Sequence, residues 1–167
     1  MRIAIDALEP AQGDLASVLG NLRYRLAPLT NATGVSLAWD VVEMPTLDAL
    51  EPSAVFAVQR AVLEAIFNAL KHSGAKEIRL SAKPRDDGIE IRIDDDGQGF
   101  DTDRTRQGRG LGTMRNRARS LGGRTEIHSR PGAGTTVIFN IPYTLAGADF
   151  EARTRTATAT NASTIAS

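Results

Sequence analysis

Glu64, Asn68 and Lys71, in the stretch LEAIFNALKHS, recur at spacings of four and three. At about 100° per residue they fall within roughly a 60° arc of one helix. A carboxylate, a carboxamide and an ammonium on one face suit a site holding a metal ion and phosphates. The Asn oxygen is a hard ligand appropriate to Mg²⁺. Lys supplies positive charge to phosphate, and Glu can position or deprotonate a nucleophile. Read structurally, the same face is a solvated one, with an Arg60–Glu64 ion pair worth only about 0.3–0.5 kcal/mol. A second stretch, IDDDGQGFD at 93–101, follows an alternating run. An Asp at a strand end can accept a hydrogen bond from a ligand amino group. Glycines two and four residues later, Gly97 and Gly99 after Asp95, let the backbone approach a flat ring. A calcium loop fails here, because Gly97 in the invariant glycine position would make Arg92 the first ligand. A third stretch, GRGLGTM at 108–114, leads alternating glycines into a helix start, where free N–H groups favour anions. Arg104, Arg106, Arg109 and Arg115 surround it. It is not a Walker A loop, since no G-K-[ST] follows. Nor is it a dinucleotide fingerprint, since the spacing is G-x-G-x-G and a loop precedes it. The structural alternatives are an acidic turn and a flexible glycine loop.

Composition narrows the classes. The 20 Lys and Arg balance 20 Asp and Glu, which disfavours a broadly cationic nucleic-acid or membrane-surface protein. There is no Cys, so disulfide scaffolds, Cys-ligated zinc and thiol catalysis are out. The two His, His72 and His128, are far apart, which disfavours a His-rich metal site. No apolar run approaches the roughly 18 residues that span a bilayer. The opening MRIAIDALEP carries Asp6 and Glu9 and no apolar signal region. A cytoplasmic location with no membrane segment in this chain is the expectation, with a membrane anchor elsewhere in a parent protein left open.

The elements that must position these residues follow from hydrophobic period. Residues 14–33 read as a helix with Asp14 as cap, and Leu15, Val18, Leu19, Leu22, Leu26 and Leu29 at spacings of three and four. Residues 35–42 read as a strand with Val35, Leu37, Trp39 and Val41 on one face. A longer helix runs from Ser53 to Ser73 with Val55, Val58, Val62, Ile66 and Leu70 as its stripe, and Gly74 stops it. Ile78, Leu80 and Ala82, then Ile89, Ile91 and Ile93, alternate with polar residues about an Asp86-Asp87-Gly88 turn. That is a hairpin with one buried face. Residues 110–121 fit a third helix, and 124–130 with 134–142 a last hairpin turning at Pro131-Gly132. Residues 144–167 hold seven Ala and six Thr with no sustained period, and read as a disordered tail. The whole is an α+β layered domain.

Taken together and in order, these motifs resemble the ATP-binding domain shared by sensor histidine kinases, gyrase, Hsp90 and MutL, the Bergerat or GHKL fold. The likeness covers about residues 50–142 and is nearest to sensor kinases that signal to helix-turn-helix response regulators. It rests on the N box EAIFNALKHS, the first glycine box DDGQGF, the second box GRGLGTMRNRARSLGG, the final PGAGTTV and a short lid at 100–107. The fold implied is a two-layer α/β sandwich, a mixed and mostly antiparallel sheet covered on one face by about three helices. The resemblance implies ATP and Mg²⁺ as cofactors. Asn68 would bind Mg²⁺ between the phosphates, Glu64 would orient or activate the acceptor, Lys71 would contact phosphate, and His72 would lie near it. Asp95 would take the adenine amino group, with Gly97 and Gly99 shaping the pocket. Gly108, Gly110, Leu111 and Gly112 would hold the triphosphate, and Thr135 would support the adenine end through a water.

The phosphoaccepting histidine of that family is absent from this chain. His72 lies inside the N box, His128 sits on a strand, and neither is followed by the usual acidic residue. Residues 1–13 resemble the end of a dimerisation helix and its linker, and 14–143 the catalytic domain. The expected partners are a histidine-bearing dimerisation domain and a response regulator, not nucleic acid. The isolated chain would be monomeric and the parent kinase a homodimer. Two other readings use the same motifs: a free-standing anti-sigma-type serine kinase, and a nucleotide-binding module without transfer activity.

Overall fold

The computed structural model describes residues 15–42, 52–102, 119 and 123–143. The expected segments 1–13 and 144–167, the second glycine box and nearly all of the helix at 110–121 lie outside the described residues.

Helix α1 (Leu15–Thr33) buries Leu15, Val18, Leu19, Leu22 and Leu26 as the spacing requires. The stripe continues four residues on from Leu26, with Leu29 partly buried beside it. Thr30, not Leu29, is buried, and its hydroxyl donates to the carbonyls of Leu26 and Ala27 at 3.2 and 3.0 Å. Gly34, at φ +70°, turns the chain out of the helix. Strand β1 (Ser36–Val41) follows.

Helix α2 (Pro52–Asn68) lays Val55, Val58, Ala61, Val62, Ala65 and Ile66 into the core. The small Ala residues widen the stripe beyond the one legible in the larger side chains. The expected helix to Ser73 is present in length but not in kind. After Asn68 the chain makes one wider π-helical turn, Ala69–Ser73, before Gly74 at φ +62° ends it. Such turns insert residues into a helix and commonly mark functional segments.

Strands β2 (Glu77–Pro84), β3 (Gly88–Asp95), β4 (Arg124–Ser129) and β5 (Thr135–Pro142) complete one five-stranded sheet in the order β1-β2-β3-β5-β4. Only the β1–β2 ladder is parallel. A parallel pair needs a long crossover, which α2 supplies. The register pairs Leu80 with Ile93 and Ile91 with Phe139. Period-two alternation therefore puts Ile78, Leu80, Ala82, Ile89, Ile91, Ile93, Val137, Phe139 and Ile141 on one face. All are buried, in one cluster with the apolar stripes of α1 and α2. The sandwich is thus the expected mixed sheet with helices on one face.

The other face carries charge. Arg79 pairs with Glu77, Lys83 and Arg85 with Glu90, and Arg92 with Asp94. Such solvent-facing pairs contribute little each. Asp94 is the better-held member. Burial works against its charge, but hydrogen bonds from Arg92 and Thr136 outweigh that and keep its carboxyl below the ordinary value. The Thr136 hydroxyl donates to it from the opposite position on β5 at 2.6 Å. Thr136→Val should cost about 1 kcal/mol at neutral pH. A carboxylate with a lowered folded pKa stabilises above its unfolded value and loses that contribution as pH falls. The deficit read by urea unfolding should therefore shrink in acid. A deficit that stays constant across the carboxylate range would contradict this.

Among the described residues no helix is long and apolar enough to cross a membrane.

Candidate nucleotide site

Asp95 closes β3, half-buried and opposite Thr135 on β5. One carboxylate oxygen accepts the Gly97 amide at 3.0 Å. Burial pushes the Asp95 carboxyl up. The Gly97 amide, the Ser73 hydroxyl and the Thr135 amide act in the opposite direction, and the Asp96 charge adds to the rise. A partly desolvated carboxylate is a strong acceptor for an N–H donor that enters beside it.

The loop after Asp95 is clamped on two sides. On one side is the π turn. Gly97 lies so close on it that a Cβ would stand 2.4 Å from both the Cβ and the carbonyl oxygen of Ser73. The Gln98 amide donates to the Ser73 carbonyl at 2.7 Å. The Gln98 side chain donates to the His72 carbonyl, also at 2.7 Å. On the other side is the β4–β5 turn. The Gln98 carbonyl accepts the Gly132 amide at 2.6 Å, and Phe100 N–H donates to Ser129 Oγ at 2.8 Å. Gly134, at φ +72°, passes so near β3 that a Cβ would stand 2.0 Å from the Asp95 carbonyl oxygen. Gly99 is likewise left-handed, at φ +58°.

Ser129 Oγ donates to the Gly134 carbonyl at 3.0 Å and lies 3.0 Å from Thr135 Oγ1. With the Ser129 proton on Gly134, Thr135 is the donor to Ser129. Thr135 then keeps its own lone pairs for an outside donor.

Asp95, Gly97, Gly99 and Thr135 are therefore brought together at one end of the β3–β5 ladder, against the end of the N-box helix. Glu64 and Asn68 sit half-buried on the last turns of α2. Lys71 and His72 are exposed on the π turn, with the Lys71 ammonium 5.9 Å from the Phe67 ring centroid. The wider turn takes Lys71 off the line that a regular helix would give it with Asn68. Gly108, Gly110, Leu111 and Gly112 lie outside the described residues. A cavity of about 340 Å³ between Arg85, Gly88, Arg124 and Pro142 is at the opposite end of the ladder and contains none of these residues.

Ser73, Gln98, Ser129 and Gly134 hold the loop without having been singled out in the sequence as site residues. Gly74 after Ser73 signals a helix end, but nothing in a single chain says which strand that end meets. Among the described residues no three His, Cys, Asp or Glu form a metal cage. Asn68 carries a hard side-chain oxygen of the kind that suits Mg²⁺.

Comparison with known proteins decides the family. The sequence model for histidine kinase-, DNA gyrase B- and HSP90-like ATPases matches residues 54–145. The chain belongs to this ATPase family. Within it, the ATPase domain is similar to sensor kinases. The chain is 37% identical over 129 residues to the nitrate/nitrite sensor protein NarQ of Escherichia coli, covering 76% of this chain and 22% of that protein. It is 35% identical over 89 residues to the signal transduction histidine-protein kinase/phosphatase DegS of Brevibacillus brevis, covering 53% of this chain and 23% of that one. The chain thus spans about a fifth of the length of these curated relatives. Among solved structures, the ATP-binding domain of PrrB from Mycobacterium tuberculosis is 27% identical, with TM-score 0.59 over 77% of this chain and 93% of that one. The histidine kinase domain of the Erythrobacter litoralis blue-light activated kinase shares the fold, with TM-score 0.65 at 19% identity over 87% and 70% of the two chains. The ATPase domain is thus an ATP-binding domain of the histidine-kinase type.

Proposed function

We propose that this domain binds Mg-ATP and transfers the γ-phosphoryl group to a histidine on a separate dimerisation domain, for relay to a response regulator. The observation that carries the reading is the junction at Asp95. There a half-buried carboxylate, a glycine that must lack a side chain and the Thr135 hydroxyl meet the end of the N-box helix.

In this reading Asp95 accepts the adenine amino group. Gly97 and Gly99 shape the pocket by letting the loop lie close on the Ser73 turn and the β4–β5 turn, and Thr135 accepts from a water at its edge. Asn68 offers its side-chain oxygen to Mg²⁺, which when bound neutralises phosphate charge. Lys71 adds positive charge at the phosphates, with His72 beside it. Gly108, Gly110, Leu111 and Gly112 would hold the triphosphate. The acceptor imidazole nitrogen forms the new bond to Pγ as the bond to the β–γ bridging oxygen breaks and ADP leaves. Glu64 orients or activates the imidazole. Alignment and charge neutralisation are the main demands of phosphoryl transfer, and these residue types supply both.

Two measurements test this. Calorimetric titration should give saturable Mg-ATP binding that weakens when Mg²⁺ is removed. Incubation with γ-labelled ATP and a histidine-bearing dimerisation domain should give an acid-labile, base-stable label on that domain. A folded chain that binds no Mg-ATP would remove the proposal. Binding without any label would leave a nucleotide-binding module.

A further inference from the structure

Three neighbouring strands place one row of polar residues at the site end of the sheet. The register sets Asp95 of β3 beside Thr135 of β5, and Thr135 beside Ser129 of β4. By period-two alternation the row shares the face of Ile93 and Val137, toward the helices. Ser129 is part-buried there, and its hydroxyl joins three segments. It donates to the Gly134 carbonyl at 3.0 Å, accepts the Phe100 amide at 2.8 Å and lies 3.0 Å from Thr135 Oγ1. A hydroxyl has one proton and two lone pairs. The Gly134 carbonyl can only accept, so it takes the Ser129 proton. The Phe100 N–H then uses one lone pair, and the Thr135 proton uses the other. All three contacts belong to the side-chain oxygen, and all three go when it is removed.

From this geometry we infer that Ser129 is a positioning residue for base specificity. By holding the Thr135 proton it leaves Asp95 and Thr135 as acceptors only, so that the site takes a purine with an amine and turns away one with a carbonyl in its place. A free hydroxyl can turn and serve as donor or acceptor. Thr135 bound to Ser129 presents lone pairs alone. An amino-purine brings N–H donors to this row. An oxo-purine brings lone pairs to lone pairs.

The inference rests on the reading of Asp95 as the base acceptor, and its test separates the two. The probes are ATP and inosine triphosphate, which carries a carbonyl in place of the exocyclic amine, titrated with Mg²⁺ into the full chain. The wild type should prefer ATP by roughly tenfold or more, the worth of a hydrogen bond to a charged acceptor. Ser129→Ala frees the Thr135 hydroxyl to donate to that carbonyl, directly or through a bridging water. It should lower the preference by about fivefold, the worth of one ordinary hydrogen bond. The change should vanish in a Thr135→Val background, where there is no hydroxyl to free. Ser129→Thr keeps the oxygen and should keep the wild-type preference. Ser129→Cys, a weak acceptor, should lower it as Ala does and stands in for an Ala variant that does not fold. A serine that merely holds the turn would lower both affinities in parallel, or neither. Either result leaves the wild-type ratio intact and overturns the inference alone. A ratio that falls equally with and without the Thr135 hydroxyl also overturns it, because the effect then travels through the loop. A wild-type ratio of one removes the reading of Asp95 and the inference with it.

Discussion

Asp95→Asn is expected to weaken Mg-ATP binding roughly tenfold or more while leaving the domain at least as stable at neutral pH. The two halves have one cause. Burial raises the Asp95 carboxyl above its ordinary value, so the folded state holds that proton more firmly than the unfolded chain does. For such a group, stability falls as pH rises from the ordinary carboxylate range through the raised value. At neutral pH the charge is present at a cost to folding. An amide of the same shape removes that cost and can still accept the Gly97 amide. It cannot offer an ionised acceptor to the ligand. Calorimetry and thermal unfolding of the same two proteins read both effects. The stability difference should close as pH is lowered until Asp95 is protonated. Unchanged affinity in the variant would show that Asp95 does not hold the base. Lower stability at neutral pH would show that its charge is better satisfied than its burial implies.

Gly134→Ala is expected to be, with Gly99→Ala, among the most damaging single methyls in the described part of the site. The residue is at φ +72°, and the new Cβ would stand 2.0 Å from the Asp95 carbonyl oxygen, which belongs to backbone and cannot rotate away. Left-handed strain of about 1–2 kcal/mol adds to an overpacking cost of about 1–3 kcal/mol. A loss of about 2–5 kcal/mol follows. Gly132 is the control, because it lies in the same turn at φ +81° with nothing within 4 Å of its missing Cβ. Gly132→Ala should cost only the backbone strain. Urea unfolding of both variants tests the difference, and equal losses would show that the β5 turn yields freely. The larger shift should also displace Asp95, so nucleotide affinity should fall with Gly134→Ala and stay near wild type with Gly132→Ala.

Much of the architecture was legible because hydrophobic period is a local property. The three- and four-residue spacing from Leu15 to Leu26 and the alternation of Ile89, Ile91 and Ile93 each state an element and its buried face. Gly34 and Gly74 mark helix ends by the left-handed backbone that glycine tolerates. Where larger forces intervene, the local signal misses. The α1 stripe ends on the polar Thr30, which continues the line of Leu22 and Leu26, and Ala61 and Ala65 are as buried as the larger residues beside them. Asp95 and Gly97 were legible as a pair through their spacing. The need for glycine at 97 was legible only as a ring-facing gap, whereas the atoms that a side chain would strike belong to Ser73.

By itself, then, the sequence determined the two long helices and the strands of the described residues, their buried faces, and a motif order distinctive enough to announce the family. Residue type and spacing along one chain carry that information. Only the tertiary structure decided that the N-box helix ends in a π turn, that this turn and the β4–β5 turn grip the Asp95 loop from opposite sides, and that Ser73 and Gly134 set its place. Those facts depend on which strand lies beside which, and on hydrogen bonds of 2.6 to 2.8 Å between residues far apart in the chain. Local propensity has no term for such contacts, because they arise only when the β3–β5 ladder and the helix layer are packed together.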